Sequence, residues 1–178
     1  MMLMNGIHRT IYPNIFKTIR NFFFRVLISG YFDSTFELKT FTEGAKQAVT
    51  VVSHYISQGR FDDLNGLVVK DAINEIRQNF QSLPAAHKQK IPVLFDEIIF
   101  SFPYEIGIII EDKSGKEKHV EQHMNMDLST LLNFSKTSHS IRDSIVICNY
   151  RFVREMTKGV SDGWTINALN HWLPNEYL

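Results

Sequence analysis

Apolar positions in the first half of the chain recur at helical spacing, and beyond Phe95 they recur at every second residue. Ala45, Ala48, Val49, Val52 and Ile56 fall at offsets 0, 3, 4, 7 and 11, one face of a period of 3.6. Thr40 followed three residues later by Glu43 has the form of a capping box, and Gly59 suits a left-handed stop, so the spacing predicts a helix from Phe41 to Gln58. Asp62 opens a short helical turn through Leu64, Leu67 and Val68. Val69, Ala72, Ile73, Ile76 and Phe80 then repeat the same offsets. That helix stops near Leu83-Pro84, because the residue before a proline disfavours helical backbone, and Ala85 to Lys90 has room for one more turn. Upstream, Asn14 caps a helix reaching to about Ser29. Ile15, Ile19, Phe22, Phe23, Val26 and Leu27 share its apolar face, with Lys17, Asn21 and Arg25 opposite and Arg20 at the edge. Met1 to Pro13 has no period and is expected to be frayed. Gly30 to Lys39 reads as a connector anchored by Tyr31, Phe32 and Phe36.

The second half reads as strands. Ile98, Phe100 and Phe102 alternate in one, Ile106, Ile108 and Ile110 in the next, with Pro103-Tyr104 between them. Lys113-Ser114-Gly115 is a turn signal. Lys116 to Asp127 reads as a more polar strand, and Leu128 to Arg142, rich in Ser and Thr, as a loop or a short helical turn. Val146, Cys148, Tyr150 and Phe152 line one face of a fourth strand, whose other face holds Ile145 and Ile147 and then turns polar at Asn149 and Arg151. After the Asp162-Gly163 turn, Trp164, Ile166 and Ala168 begin a last strand that ends near Trp172. Helices first and strands afterwards argue for an α+β domain, with amino-terminal helices packed on one face of a curved antiparallel sheet. Such a covered sheet makes a cone with an open mouth. No Pro/Gly linker divides this body.

Charge changes the picture at one end only. Formal net charge is zero over 178 residues, which gives no support for sequence-specific nucleic-acid binding. Residues 1–32 nevertheless carry Arg9, Lys17, Arg20 and Arg25 and no acid, whereas all 19 acids lie later. The chain therefore divides into a basic amino-terminal segment, 1–32, containing the amphipathic helix, and an α+β domain, 33–178. Three readings of that helix follow: it packs on its own domain or a neighbouring molecule, it lies on an anionic membrane surface or in a partner's groove, or it is a targeting peptide. Lys17, Arg20, Arg25, Phe22 and Phe23 are the residues that a membrane or a partner would meet. No apolar run reaches the length of a membrane span.

Candidate chemistry is sparse. His119, Glu121 and His123 would point to one side of a strand and form a feasible His-Glu-His ligand set, but such spacing is permissive and a solvated strand face is the better reading. Asp62-Asp63 reads as favourable charge at a helix start, and Asp96-Glu97 as the opening of a strand. Cys148 is the single cysteine, so an internal disulfide is excluded, and its apolar run suits a packed small hydrophobe rather than a nucleophile. Arg151 and Arg154 flank Phe152 as two solvated arginines beside one core ring. There is no G-x-S-x-G, no P-loop and no dinucleotide fingerprint. The expectation is a protein that is not an enzyme and takes no cofactor, with a small-ligand binder built on the cone as the rival.

Phe41 to Ile73, FTEGAKQAVTVVSHYISQGRFDDLNGLVVKDAI, resembles the helical start of the domain shared by the import-motor anchor of the mitochondrial Tim complex (the Tim forty-four subunit) and its relatives. Gly30-Tyr31-Phe32-Asp33-Ser34-Thr35-Phe36 is similar to the lead-in of that domain, and Asp96-Glu97-Ile98-Ile99-Phe100 to its first strand. Tyr150 to Val160 with Asp162-Gly163-Trp164-Thr165-Ile166 is similar to its last two strands. The likeness runs from roughly Gly30 to Trp172 and departs at Lys113 to Asp127 and Leu128 to Arg142. It is nearest to the branch that works with the matrix-facing AAA (m-AAA) protease. The resemblance implies a nuclear-transport-factor-two-like cone, a place in the mitochondrial matrix, and peripheral attachment to the inner membrane. It also implies a role in sorting or inserting an inner-membrane protein such as the calcium-uniporter regulator subunit, hence in calcium homeostasis, or binding to the mitochondrial ribosome. The family's long presequence is not evident, which leaves a native or a truncated amino terminus open. The family has no catalytic signature to carry over.

Overall fold

The computed structural model describes residues 3–4, 15–112, 120–134, 145–155 and 163–172. Its α+β architecture agrees with the order read from the pattern. Helices α1 (Ile15–Leu27), α2 (Leu38–Ser57), α3 (Lys70–Ser82) and α4 (Ala85–Lys88) precede strands β1 (Pro103–Asp112), β2 (Val120–Phe134), β3 (Ile145–Glu155) and β4 (Thr165–Trp172). The strands form one antiparallel sheet in sequential order, β1-β2-β3-β4.

The core follows the two periods. Phe41, Ala45, Val49, Val52 and Ile56 are the buried stripe of α2, and Ala72, Ile73 and Ile76 that of α3. They meet the Val146, Cys148, Tyr150 and Phe152 face of β3. Phe41 is the centre of the contact. Its ring lies edge-on to Phe152 at 5.6 Å and to Trp164 at 4.8 Å, and Phe36 completes the cluster at 6.0 Å. Ser53, fully buried on α2, accepts a hydrogen bond from the Val93 amide at 3.0 Å and donates to the Thr50 carbonyl at 3.1 Å. It fixes the Ile91–Val93 segment over the helix without leaving a polar group unpaired. Gly59 has a φ of 70°, the left-handed stop its position calls for.

Several boundaries differ from the pattern. Helix α2 begins at Leu38, with Glu37 as its extended N-cap, because Leu38 already packs on the core. The Thr40 hydroxyl donates to the Glu37 carboxylate at 2.6 Å, so Thr40 and Glu43 do not form the expected capping box. Asp96-Glu97 does not open a strand. Phe95–Glu97 is a 3-10 turn, Ile98 makes a lone bridge, and Ile99 and Phe100 stay exposed, since alternation without a neighbouring strand does not make a ladder. Conversely, residues 128–134, expected to be loop, are the second half of β2 and pair with β3 from Leu128 opposite Tyr150 to Phe134 opposite Ile145. Pairing along a neighbour outweighs a Ser/Thr-rich composition. The expected turns at Lys113 to Gly115 and Asp162 lie outside the described residues.

The amino terminus also departs from expectation. Leu3 and Met4 are not frayed; both are buried, and both are hydrogen-bonded to Asn170 of β4. At the opposite edge of the sheet, α1 lies along β1, where the Asn21 side chain accepts a hydrogen bond from the Ile106 amide at 3.0 Å. The outer edge of β4 is partly filled by the chain's own Leu67–Val69, through Val69 N to Ile166 O at 2.9 Å and Ile166 N to Leu67 O at 2.8 Å. Both outer strands thus have part of their free edge occupied, which limits strand-to-strand association there.

Candidate interaction surface

Helix α1 is turned with its polar side toward the sheet. Glu105 of β1 holds Arg20 at 2.7 Å and Lys17 at 3.5 Å, and Asn21 bonds the same strand. The apolar stripe therefore faces outward: Ile15, Ile19, Phe22, Phe23, Val26 and Leu27 are each about half or more exposed, Phe23 at 67%. No residue of α1 is buried. Phe22 and Phe23 stack edge-on at 6.1 Å, and Arg25 lies over the Phe22 ring at 5.5 Å. Ile19, Phe23, Phe24, Val26 and Leu27, with Gly30 and Tyr31 of the following π turn (Ile28–Phe32), border an open apolar hollow of about 680 Å³. A contiguous exposed patch of this kind marks a surface made to be covered.

Of the five residues singled out for a membrane or a partner, Phe22 and Phe23 stand in the open face, and Arg25 stands beside them. Lys17 and Arg20 lie on the strand-facing side against Glu105. Tyr31, expected to anchor the connector, is 80% exposed and rims the hollow instead.

A second, smaller hollow of about 370 Å³ opens between the start of α2 and the ends of β3 and β4. Phe36, Phe41, Phe152 and Trp164 wall it, and Asp33 and Arg154 sit at its rim. Asp33 Oδ1 accepts from the Thr35 hydroxyl at 2.5 Å and the Thr35 amide at 2.9 Å, while Oδ2 accepts from Arg154 at 3.0 Å. The Thr35 hydroxyl foremost, with the Arg154 charge helping, holds the Asp33 carboxyl below the usual carboxylate range. Arg154 is thus a clamp between the α1–α2 connector and β3, not the solvated arginine expected from its place at a strand end. Arg151 is bonded through Nε to Asn167 at 2.7 Å.

Cys148, Tyr150 and His171 come together in the core. Cys148 is opposite His171 in the β3–β4 register, and the Tyr150 hydroxyl meets His171 Nε2 at 2.8 Å. All three are sealed from solvent. Burial pushes the Cys148 thiol and the Tyr150 phenol up and the His171 imidazole down to about 3, so at neutral pH all three are uncharged. An uncharged, enclosed thiol is no nucleophile. Cys148 in the native protein is expected to resist Ellman's reagent and to react completely once the chain is unfolded in guanidinium; rapid native labelling would contradict this packing. Of the metal candidates, His119 lies outside the described residues, and Glu121 and His123 fall on β2, paired with Glu111 and Ile109. No group of three potential ligands occurs among the described residues. None of their helices is long and apolar enough to cross a membrane.

No family model matches the chain, and no solved structure matches it. Among curated proteins it is similar to the m-AAA protease-interacting protein 1, mitochondrial, of Homo sapiens, with 32% identity over 157 residues, 82% of this chain and 54% of that protein. The protein of the same name from Bos taurus is 29% identical over 172 residues, 90% of this chain and 59% of the relative. That of Rattus norvegicus is 28% identical over the same length and shares. The chain thus spans little more than half the length of the curated relatives it matches.

Proposed function

We propose that this chain, a homologue of m-AAA protease-interacting protein 1 across most of its length, is a mitochondrial adaptor that works by binding rather than by catalysis. In this reading it acts in the matrix at the inner membrane, beside the m-AAA protease, and assists the sorting or insertion of an inner-membrane protein such as the calcium-uniporter regulator subunit. Residues 33–178 are its Tim-forty-four-like body, and α1, within residues 1–32, is the element that meets the anionic membrane or the client. The observation that carries the reading is the outward apolar stripe of α1, with Phe22 and Phe23 in the open and Arg25 beside them. An amphipathic helix whose polar side is anchored and whose apolar side is free needs an apolar surface to complete it.

Affinity capture of the tagged chain from mitochondria, followed by mass spectrometry, tests this. Subunits of the m-AAA protease should be recovered with the chain. Recovery of mitochondrial ribosomal proteins instead, undiminished when the protease is absent, would replace it with a ribosome-bound role.

A further inference from the structure

The last turn of α1, the amino-terminal half of α2 and residues 99–101 border an open hollow of about 530 Å³, beside the one along the apolar stripe. Its charge is lopsided in a chain whose net charge is zero. Arg25, Lys39 and Lys46 line it, from two helices, and Glu43 is the one acid among its lining residues. Lys46 already meets that acid at 3.0 Å and lies over the Phe95 ring at 5.9 Å. The positive charges of Arg25 and Lys39 are therefore in excess, and both residues are exposed.

The remaining wall is apolar and open. Ile99 is 53% and Phe100 54% exposed, and neither belongs to a strand. Ser101 borders the hollow too, and its Oγ has no hydrogen-bond partner. Exposed apolar side chains beside bases in excess fit an anion that carries an apolar tail. A free phosphate would answer the bases and leave Ile99 and Phe100 in water. An uncharged apolar surface would cover those two and leave the bases without a counter-charge. Arg25 also lies over the Phe22 ring at 5.5 Å, so the hollow is continuous with the outward stripe of α1.

We propose that this hollow is a binding site for a single anionic phospholipid, its phosphate between Arg25 and Lys39 and the first methylenes of its acyl chains over Ile99 and Phe100. The site rests on the membrane-facing reading of α1 given above and deepens it. The apolar stripe supplies contact area with no choice of lipid, and the hollow selects the charge of the headgroup. Lys46, by holding Glu43, keeps that acid from competing for the other two bases. The Ser101 hydroxyl is a donor left over for a lipid oxygen.

The test uses the full chain, isotope-labelled for nuclear magnetic resonance, and short-chain lipids below their critical micelle concentration, so that a single molecule and not a surface is offered. Dihexanoyl phosphatidylglycerol should shift the amide signals of residues 38–46 and 99–101 saturably. Dihexanoyl phosphatidylcholine, with the same tails and no net charge, and glycerol phosphate, with charge and no tails, should each bind at least about tenfold more weakly. Lys39→Glu and Phe100→Ser should each weaken the phosphatidylglycerol response about tenfold or more, with the signals of the core unchanged. Equal binding of the two lipids, or glycerol phosphate binding as strongly as phosphatidylglycerol, overturns the proposal. So does a response that survives both substitutions or is confined to α1. Vesicles of long-chain phosphatidylglycerol, tested alongside, report on α1. Binding to vesicles without binding of the monomeric lipid overturns the site and leaves the membrane reading standing, whereas binding to neither overturns both.

Discussion

Replacing Phe22 and Phe23 together by aspartate is expected to weaken binding to cardiolipin-containing vesicles about a hundredfold or more while leaving the thermal midpoint nearly unchanged. Burying one phenylalanine contributes about 1.5–3 kcal/mol, so losing two removes a factor of this order or greater before any repulsion between the new carboxylates and anionic lipid is added. In the free protein those residues are 54% and 67% exposed and their rings lie edge-on to each other, outside the buried core. The contrast between lost binding and kept stability is what separates an interaction surface from a structural helix. Salt makes a second comparison. Lys17 and Arg20 are already paired with Glu105, and Arg25 is the base beside the exposed rings. The electrostatic share of the attraction is therefore small, and raising salt from about 50 to 500 mM should weaken vesicle binding only a few-fold. A loss of stability in the double variant comparable to the loss of binding would show that α1 is core and not surface. Binding that stays intact would remove the outward stripe from the membrane contact.

Which parts of this structure could be read from the sequence follows from the range of the interactions involved. The α2 stripe, the Gly59 stop, the α3 stripe and the inward face of β3 are set by periods of 3.6 and 2, and local patterns carry them. The α1 pattern showed an apolar face but not which way it looks. Its direction comes from Glu105, 85 residues or more away, which pairs with the polar side. The Asp33–Arg154 clamp is invisible for the same reason, since its two halves lie 121 residues apart. In β4 a bulge at Asn167 breaks the simple alternation. Ile166 stays opposite Phe152, but Leu169 and His171 then lie opposite Tyr150 and Cys148, and Asn170 turns to the other face. Reading every second residue from Trp164 therefore falls out of step with β3 beyond Ile166, although Ala168 is still buried. A signal was present: Asn170 and His171 interrupt an apolar run, and two polar groups in such a place need partners.

The larger stability effect should come from acid. The unfolded chain binds a proton at His171 near the ordinary imidazole value of about 6.5, whereas burial in the folded protein lowers that value to about 3. Between these two values the unfolded state holds a proton that the folded state refuses. Stability is therefore fully present above about pH 6.5 and falls as the pH drops, by about 1.4 kcal/mol per unit, until the folded imidazole itself is protonated near pH 3. From pH 6.5 to 4.5 the expected loss is about 2–3 kcal/mol, a large part of what a domain of this size holds in reserve. Asp33, whose carboxyl is held low, adds its own loss only further down, through the carboxylate range, so the upper window isolates the imidazole. The measurement is urea unfolding at half-unit steps of pH for the native chain and for His171→Gln. The glutamine amide offers both a donor and an acceptor to the Tyr150 hydroxyl, now 2.8 Å from Nε2, but has no proton to take up. It should start less stable, by about 1–3 kcal/mol, because its shape does not match the sealed site. Its stability should nevertheless lose the part of the slope that His171 supplies, so that the two curves converge toward pH 4.5. Parallel curves, or an imidazole of His171 seen by nuclear magnetic resonance to titrate near pH 6.5 in the folded protein, would show that water reaches this site. The enclosed Cys148, Tyr150 and His171 would then have to be reconsidered as accessible chemistry, and with them the view that this chain acts through its outer surfaces.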